Sequence, residues 1–298
     1  MGSSHRRLLL VFAHPDDESF GMGGTIARYV AQGVDVYYLC ATGGEVGTIP
    51  PAMQGLYPTV KDLRLAELDC AAQTLGFKEV FLAGYKDSGM MGSPTTADPD
   101  CLWYRWQQEP ASVTRYVVDI MRRVQPQVVV TFNKYGGYGH PDHIAIQQAC
   151  EQAFHLAGEA AYAAGDRPPF APQKLYYTAL PARVLRFLLW TLRLRGIDPR
   201  RMGTNKDIDF QAVVEHIEPV HTRINIQDYL AAWDAASQCH ASQGGGGFLN
   251  RLPGWLRRQL IRSQGYTRVQ PAPGHTRIDE DDLFAGVVAQ PLRQEATA

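Results

Sequence analysis

The chain is poor in cysteine, in long apolar runs and in net charge, and each shortage excludes something. Its five cysteines (Cys40, Cys70, Cys101, Cys150 and Cys239) are scattered, with no CxxC pair. Their odd number argues against a closed disulfide framework, so a reducing, cytoplasmic setting is expected. The longest apolar candidate, Val184 to Leu194, carries Arg186 and Arg193. It falls short of the ~18 apolar residues that a membrane span needs. Leu8 to Phe12 is likewise too short for the apolar region of a signal peptide. Lys and Arg number 29 against 30 Asp and Glu, a net charge of −1. Such a balance forecasts binding neither to nucleic acid nor to an anionic membrane surface. There is no internal repeat.

What is there suits a sizeable globular core. Hydrophobic residues make up 45% of the 298 positions, enough for one large domain or a domain with an appendage. Strand-like runs at Leu8–Ala13, Val34–Ala41, Glu79–Ala83, Gln127–Phe132 and Lys174–Ala179 alternate with segments of helical period at Met22–Gln32, Thr59–Leu75, Ser112–Val124 and Pro141–Ala157. That alternation predicts an α/β fold, a doubly wound, mostly parallel sheet with helices on both faces. Residues 1–180 are expected to form this core and to carry the site. Residues 181–298, less regular in pattern, read as an extension packed on the core and completing the cleft.

Two short motifs carry the chemistry. His14-Pro15-Asp16-Asp17-Glu18 and His140-Pro141-Asp142-His143 each follow a strand-like run, and each offers two metal-ligand types three residues apart. Proline suits the first position of a helix, and residues three apart share a helix face. In a doubly wound sheet, ligands sit beyond the carboxyl ends of the strands, where both motifs fall. A single His-Pro-Asp match is most simply a helix start with its dipole complemented. Two at strand ends, with complementary ligands, point instead to a catalytic metal site.

Zinc in such a site takes three protein ligands and leaves a position for water. His14, Asp17 and His143 supply that set. Asp16 is then placed to accept a proton from water, and His140, if protonated, to donate to a developing oxyanion. Asp142 is expected to hold the His140 imidazole and raise its pKa. Glu18 reads as an ordinary first-turn carboxylate.

The residues also carry a resemblance. Ala13-His14-Pro15-Asp16-Asp17-Glu18 with Gly23-Gly24-Thr25-Ile26-Ala27, and Gly136-Gly137-Tyr138-Gly139-His140-Pro141-Asp142-His143, resemble the two signatures of the PIG-L/LmbE-like zinc N-deacetylases. Thr42-Gly43-Gly44-Glu45, Arg64-Leu65-Ala66-Glu67-Leu68 and Gly84-Tyr85-Lys86-Asp87-Ser88-Gly89-Met90 are similar to segments of the family, the last most of all to its mycothiol branch. Cys239-His240-Ala241-Ser242-Gln243 and Asp282-Leu283-Phe284 are weaker matches.

The resemblance implies a Rossmann-like fold and removal of acetate from an N-acetylglucosaminyl unit attached to something else. It implies zinc on His14, Asp17 and His143, with iron(II) an alternative in the cell, Asp16 as general base and His140 as oxyanion stabiliser. Tyr138 is implied to assist at the reacting carbonyl. Arg64, Asp87 and Glu45 are implied to face the sugar or its linked group, and His240 is a candidate substrate contact that reads more simply as a buried structural histidine.

Alternatives stay open at this point. One is an amidase cleaving a larger acyl group, as in mycothiol-conjugate hydrolysis. Others are a non-heme iron oxygenase and a non-catalytic zinc- or sugar-binding protein. The apolar stretches Val184–Leu192 and Phe248–Ile261 read as core or as the interface of a homo-oligomer, since large exposed apolar patches are rare on monomers.

Overall fold

A computed structural model describes residues 5–203, 206–245 and 261–288. Seven strands form one sheet in the order β3-β2-β1-β4-β5-β7-β6. The strands are β1 (Arg7–Phe12), β2 (Asp35–Thr42), β3 (Glu79–Tyr85), β4 (Val128–Thr131), β5 (Lys174–Ala179), β6 (Thr222–Asn225) and β7 (Ser263–Gln270). The first five are parallel; β7 runs antiparallel to β5, and β6 antiparallel to β7. Leu8 to Phe12 and Val128 to Val130 are buried without interruption, as central parallel strands covered on both faces require.

Helices α1 (Asp17–Ala31), α2 (Val60–Leu75) and α9 (Leu230–Cys239) pack on one another, and α3 (Leu102–Gln108), α4 (Pro110–Val124) and α6 (Pro141–Leu156) form a second such group. The two groups cover opposite faces, as right-handed crossovers on either side of β1 dictate. α2 shows the local logic: Thr59 Oγ1 accepts from the Asp62 backbone N–H, and Gly76 at φ 77° closes the helix. A short turn, α5 (Gly136–Gly139), precedes α6, while α7 (Ala182–Leu194) and α8 (Phe210–Glu215) follow β5.

The strand order reverses between β1 and β4, which are hydrogen-bonded neighbours. Both histidine motifs leave the sheet at that switch point, the expected place for a ligand crevice. The α/β, mostly parallel architecture is therefore as expected. β6 and β7 lay outside the alternation seen in the sequence. They are antiparallel, and Glu280 anchors them: its carboxylate accepts from Lys174, from the Tyr176 hydroxyl at 2.7 Å and from Thr222 at 2.8 Å.

Three readings are corrected. Cys70 and Cys239 form a disulfide between α2 and α9, 169 residues apart in sequence with Cα atoms 5.7 Å apart, leaving Cys40, Cys101 and Cys150 free and buried. The odd count concealed a single pair that only helix packing brings together. The stretch Val184–Leu192 is not core: it lies in a helix that keeps much of its apolar surface exposed on the single chain. The first histidine motif starts its helix later than the second does: Pro141 is the first residue of α6, but α1 begins at Asp17, with Asp16 as its N-cap. The second apolar stretch, from Phe248, lies outside the described residues except for Ile261. Among the described residues, no helix is long and apolar enough to cross a membrane.

Candidate metal centre

His14 and Asp17 follow β1, and His143 lies in the first turn of α6 after β4. Although 129 residues apart, His14 Nδ1 and His143 Nε2 approach to 3.0 Å. An Asp17 oxygen lies 3.6 Å from His14 Nδ1, and its other oxygen 3.5 Å from His143 Nε2. Ligands on a tetrahedral zinc stand about 3.3 Å from one another; His14, His140 and His143 lie close enough to share one ion, as do His14, Asp87, His140 and Asp142, with the Asp17 carboxylate alongside.

The far side of each ring fixes its tautomer. His143 Nδ1 meets the Gly136 carbonyl oxygen at 3.0 Å and donates to it, which leaves Nε2 as an acceptor. His14 Nε2 meets Asp142 Oδ2 at 3.2 Å, which turns the Nδ1 lone pair toward His143. Two lone pairs and a carboxylate thus converge on one point, an arrangement that repels unless a proton or a cation sits among them. The electrostatics agree. Burial works against charging His14, but Asp87, Asp142 and Asp17 outweigh it and raise its pKa well above the usual value. Burial would raise Asp17, yet His143 and His14 hold it well below the usual carboxylate range. Burial lowers His143 to about 4. The donor set fits a divalent cation.

Asp16 stands beside this triangle in an unusual conformation, with φ 124°. Such backbone strain in a residue other than glycine persists only where the surroundings over-determine it. Here the Asp16 N–H donates to Glu18 Oε2 at 3.0 Å, and its carboxylate receives Arg64 at 2.8 Å. Arg64 also donates to the carbonyls of Pro15 and Gly44. Gly44 has to be glycine: a Cβ there would lie 2.2 Å from the Arg64 guanidinium. Burial raises the Asp16 carboxyl to about 7, against the lowering effect of Arg64.

His140 and Asp142 depart from the expected relationship. The Asp142 carboxylate serves His14, and also accepts from the backbone N–H of Ser88 at 2.9 Å and from the Ser88 hydroxyl. His140 Nδ1 is 4.0 Å from that carboxylate and instead accepts the Asp142 backbone N–H at 3.2 Å, capping α6. Burial, with His14 and His143 close by, lowers His140 well below its usual pKa. His140 is therefore neutral, with its proton on Nε2, and not an imidazolium sustained by Asp142. It needs no added proton to donate.

The remaining candidates divide. Asp87 lines the cleft, accepts from the Gly89 N–H at 2.8 Å and lies 3.5 Å from His14 Nε2. Glu45 is one step back, accepting the Asp87 N–H at 2.9 Å and pairing with Lys61. Tyr138 stands at the rim, edge-on to His143 with ring centroids 5.0 Å apart. Arg64 and Glu67, one turn apart on α2, serve different partners. Both are buried, and Glu67 holds Ser242 through its N–H and hydroxyl. His240 is fully buried and bonded through Nε2 to Glu18 Oε1 at 2.7 Å, the position of a structural histidine.

Three residues of the site went unrecognised in the sequence. Glu18 holds Asp16, Ser88 holds Asp142, and Asn133 Oδ1 accepts the Gly137 N–H at 2.7 Å in the glycine turn. Glu18 and Ser88 lay in segments already singled out, Glu18 read there as an ordinary first-turn carboxylate; Asn133 did not. The cleft itself has a volume of about 730 Å³, within the range of small-molecule sites. Arg64, Asp87, Ser242 and Gln243 give it polar walls, while Val46, Ile49, Met90 and Ile208 are apolar.

Comparison with known proteins agrees with this geometry. The family model described as "PIG-L: GlcNAc-PI de-N-acetylase" matches residues 9–154. A protein of Thermobispora bispora named 1D-myo-inositol 2-acetamido-2-deoxy-alpha-D-glucopyranoside deacetylase is 38% identical, covering 95% of this chain and 99% of its own. One of the same name from Geodermatophilus obscurus is 35% identical over 95% of this chain and 98% of its own. Among solved structures, N,N'-diacetylchitobiose deacetylase from Pyrococcus horikoshii superimposes with a TM-score of 0.59 at 18% identity, covering 89% of this chain and 84% of that one, a likeness of fold.

Proposed function

The chain belongs to the PIG-L family, and on that premise we propose that it is a zinc-dependent hydrolase of N-acetylglucosaminyl conjugates. Its substrate in this reading is the compound named for its relatives, N-acetylglucosamine linked to myo-inositol. The observation that carries the reading is the convergence of His14, Asp17 and His143 with Asp16 alongside. Iron(II) fits the same donors.

A divalent cation held by His14, Asp17 and His143 supplies a Lewis acid and lowers the pKa of water beside it. Asp16, with a pKa near 7, takes the proton from the attacking water. As the new C–O bond forms, the acetamide oxygen gains negative charge, and His140 donates its Nε2–H to it. Tyr138, at the rim, is the second donor. His140 Nδ1 is engaged in capping α6, so the proton for the departing amine comes back from Asp16. The C–N bond breaks, and acetate and the free amine leave.

Arg64 and Asp87 face the sugar, and Glu45 keeps Asp87 in place. The extension from residue 181 completes the cleft with Asp207, Ile208, Ser242, Gln243 and Gly244. The cleft, at about 730 Å³, has room for a sugar and a linked polyol. A cytoplasmic setting belongs to this reading, and it exposes the Cys70–Cys239 bond to cellular thiols.

The test is release of acetate and free amine from the inositol conjugate by chelated protein with and without added zinc. Zinc-dependent release is expected. Full activity after exhaustive chelation, or release only of a larger acyl group from a cysteinyl conjugate, would overturn the proposal.

A further inference from the structure

Helix α7 presents a surface that the fold leaves open. Leu189 and Leu192 form its buried side, whereas Val184, Phe187, Trp190 and Leu194 are 61%, 63%, 56% and 67% exposed. The rings of Phe187 and Trp190 lie 5.9 Å apart, a continuous aromatic patch. An apolar surface of this kind on a folded chain marks a site of interaction.

The same segment is strongly basic. Residues 182–201 contain Arg183, Arg186, Arg193, Arg195, Arg200 and Arg201 against one acid, Asp198. None of the six guanidinium groups pairs with a carboxylate among the described residues. The chain's overall charge of −1 hides this local excess of cations, which is why composition predicted no anionic partner.

Charge decides between the occupants. A second copy of the chain, meeting this face across a two-fold axis, would bring two sets of arginines together. Like charges so placed cost several kcal/mol and are a device for rejecting partners. An anionic bilayer surface accepts both halves of the pattern: Phe187, Trp190 and Leu194 enter the boundary between headgroups and acyl chains, while the arginines extend to lipid phosphates. We propose that α7 docks the protein, lying in the interface plane, on an anionic lipid surface. Asp207 and Ile208, thirteen and fourteen residues beyond the end of α7 in the sequence, line the cleft.

Cosedimentation of the full, zinc-loaded chain with vesicles tests this. Vesicles of phosphatidylcholine alone are compared with vesicles in which about a third of the lipid is phosphatidylglycerol. Binding to the anionic vesicles is expected, falling about tenfold or more on neutral vesicles or in roughly 0.5 M salt. The double substitution Phe187→Ser with Trp190→Ser is expected to abolish it while leaving turnover of a soluble substrate unchanged. Arg183→Glu with Arg186→Glu is expected to remove the preference for anionic lipid. Failure of the native chain to sediment with anionic vesicles would overturn the proposal. So would equal binding by the Phe187/Trp190 variant, or a solution dimer that the same variant dissociates.

Discussion

Glu18 Oε2 accepts the backbone N–H of Asp16 at 3.0 Å, and the other oxygen of the same carboxylate meets His240 Nε2 at 2.7 Å. A buried carboxyl–imidazole contact thereby holds the strained turn on which the proposed base sits. Glu18→Ala is expected to lower kcat about ten- to hundredfold with little change in KM, the result of a misplaced base. It should also cost about 1–3 kcal/mol of stability for each buried partner left unsatisfied. Glu18→Gln, which keeps an acceptor for Asp16, should recover much of kcat. Kinetics and thermal denaturation of both variants check this; equal kcat in the alanine variant would refute the positioning role.

The pH profile should report Asp16. Its carboxyl stands at about 7 because burial raises it, with Arg64 pulling the other way. The base works deprotonated, so kcat/KM should fall as the pH drops through that value, and a bound cation moves this limb below 7. Arg64→Gln should shift the limb to higher pH. The folded pKa lies above the ordinary aspartate value of 3.8. The contribution of Asp16 to stability is therefore full below that value and is lost as the pH rises through about 7. Asp16→Ala should retain metal yet lose about a hundredfold or more in turnover.

Asp142 bonds to His14 rather than to His140, which makes metal affinity the quantity it should control. Asp142→Asn is expected to weaken zinc about ten- to hundredfold, measured by competition with a chelator. Unchanged affinity alongside a shifted pH profile would restore the His140 assignment.

The Cys70–Cys239 bond joins α2 to α9 across 169 residues of chain. Closing so long a loop restricts the unfolded chain, so Cys239→Ser should lower stability by about 2–5 kcal/mol under oxidising conditions. In the presence of reductant the native and Cys239→Ser proteins should melt together.

Much of the core was legible in the sequence because its strands are parallel and buried on both faces, leaving uninterrupted runs such as Leu8 to Phe12. β6 and β7 were not legible. β6 alternates buried and exposed residues over only four positions, β7 is half-buried along most of its length, and the pair depends on Glu280 for its anchoring. The two histidine motifs were visible as ligands because three-residue spacing at strand ends is a local property. What Asp142 and Glu18 each hold depends on a neighbour's orientation, which spacing alone does not encode. The apolar stretch of α7 was visible in the sequence, but its local excess of arginine was hidden in a chain whose acids elsewhere balance it.

β1 and β4 become neighbours only once the intervening crossover has closed. The proposed grip of His14, Asp17 and His143 therefore has no counterpart in the unfolded chain. An ion held only by the native state adds stability by mass action, in proportion to the logarithm of its free concentration over Kd. Zinc starvation would then thin out the surviving population through proteolysis as well as slow each molecule, and supplying the metal after synthesis would rescue only the chains still intact.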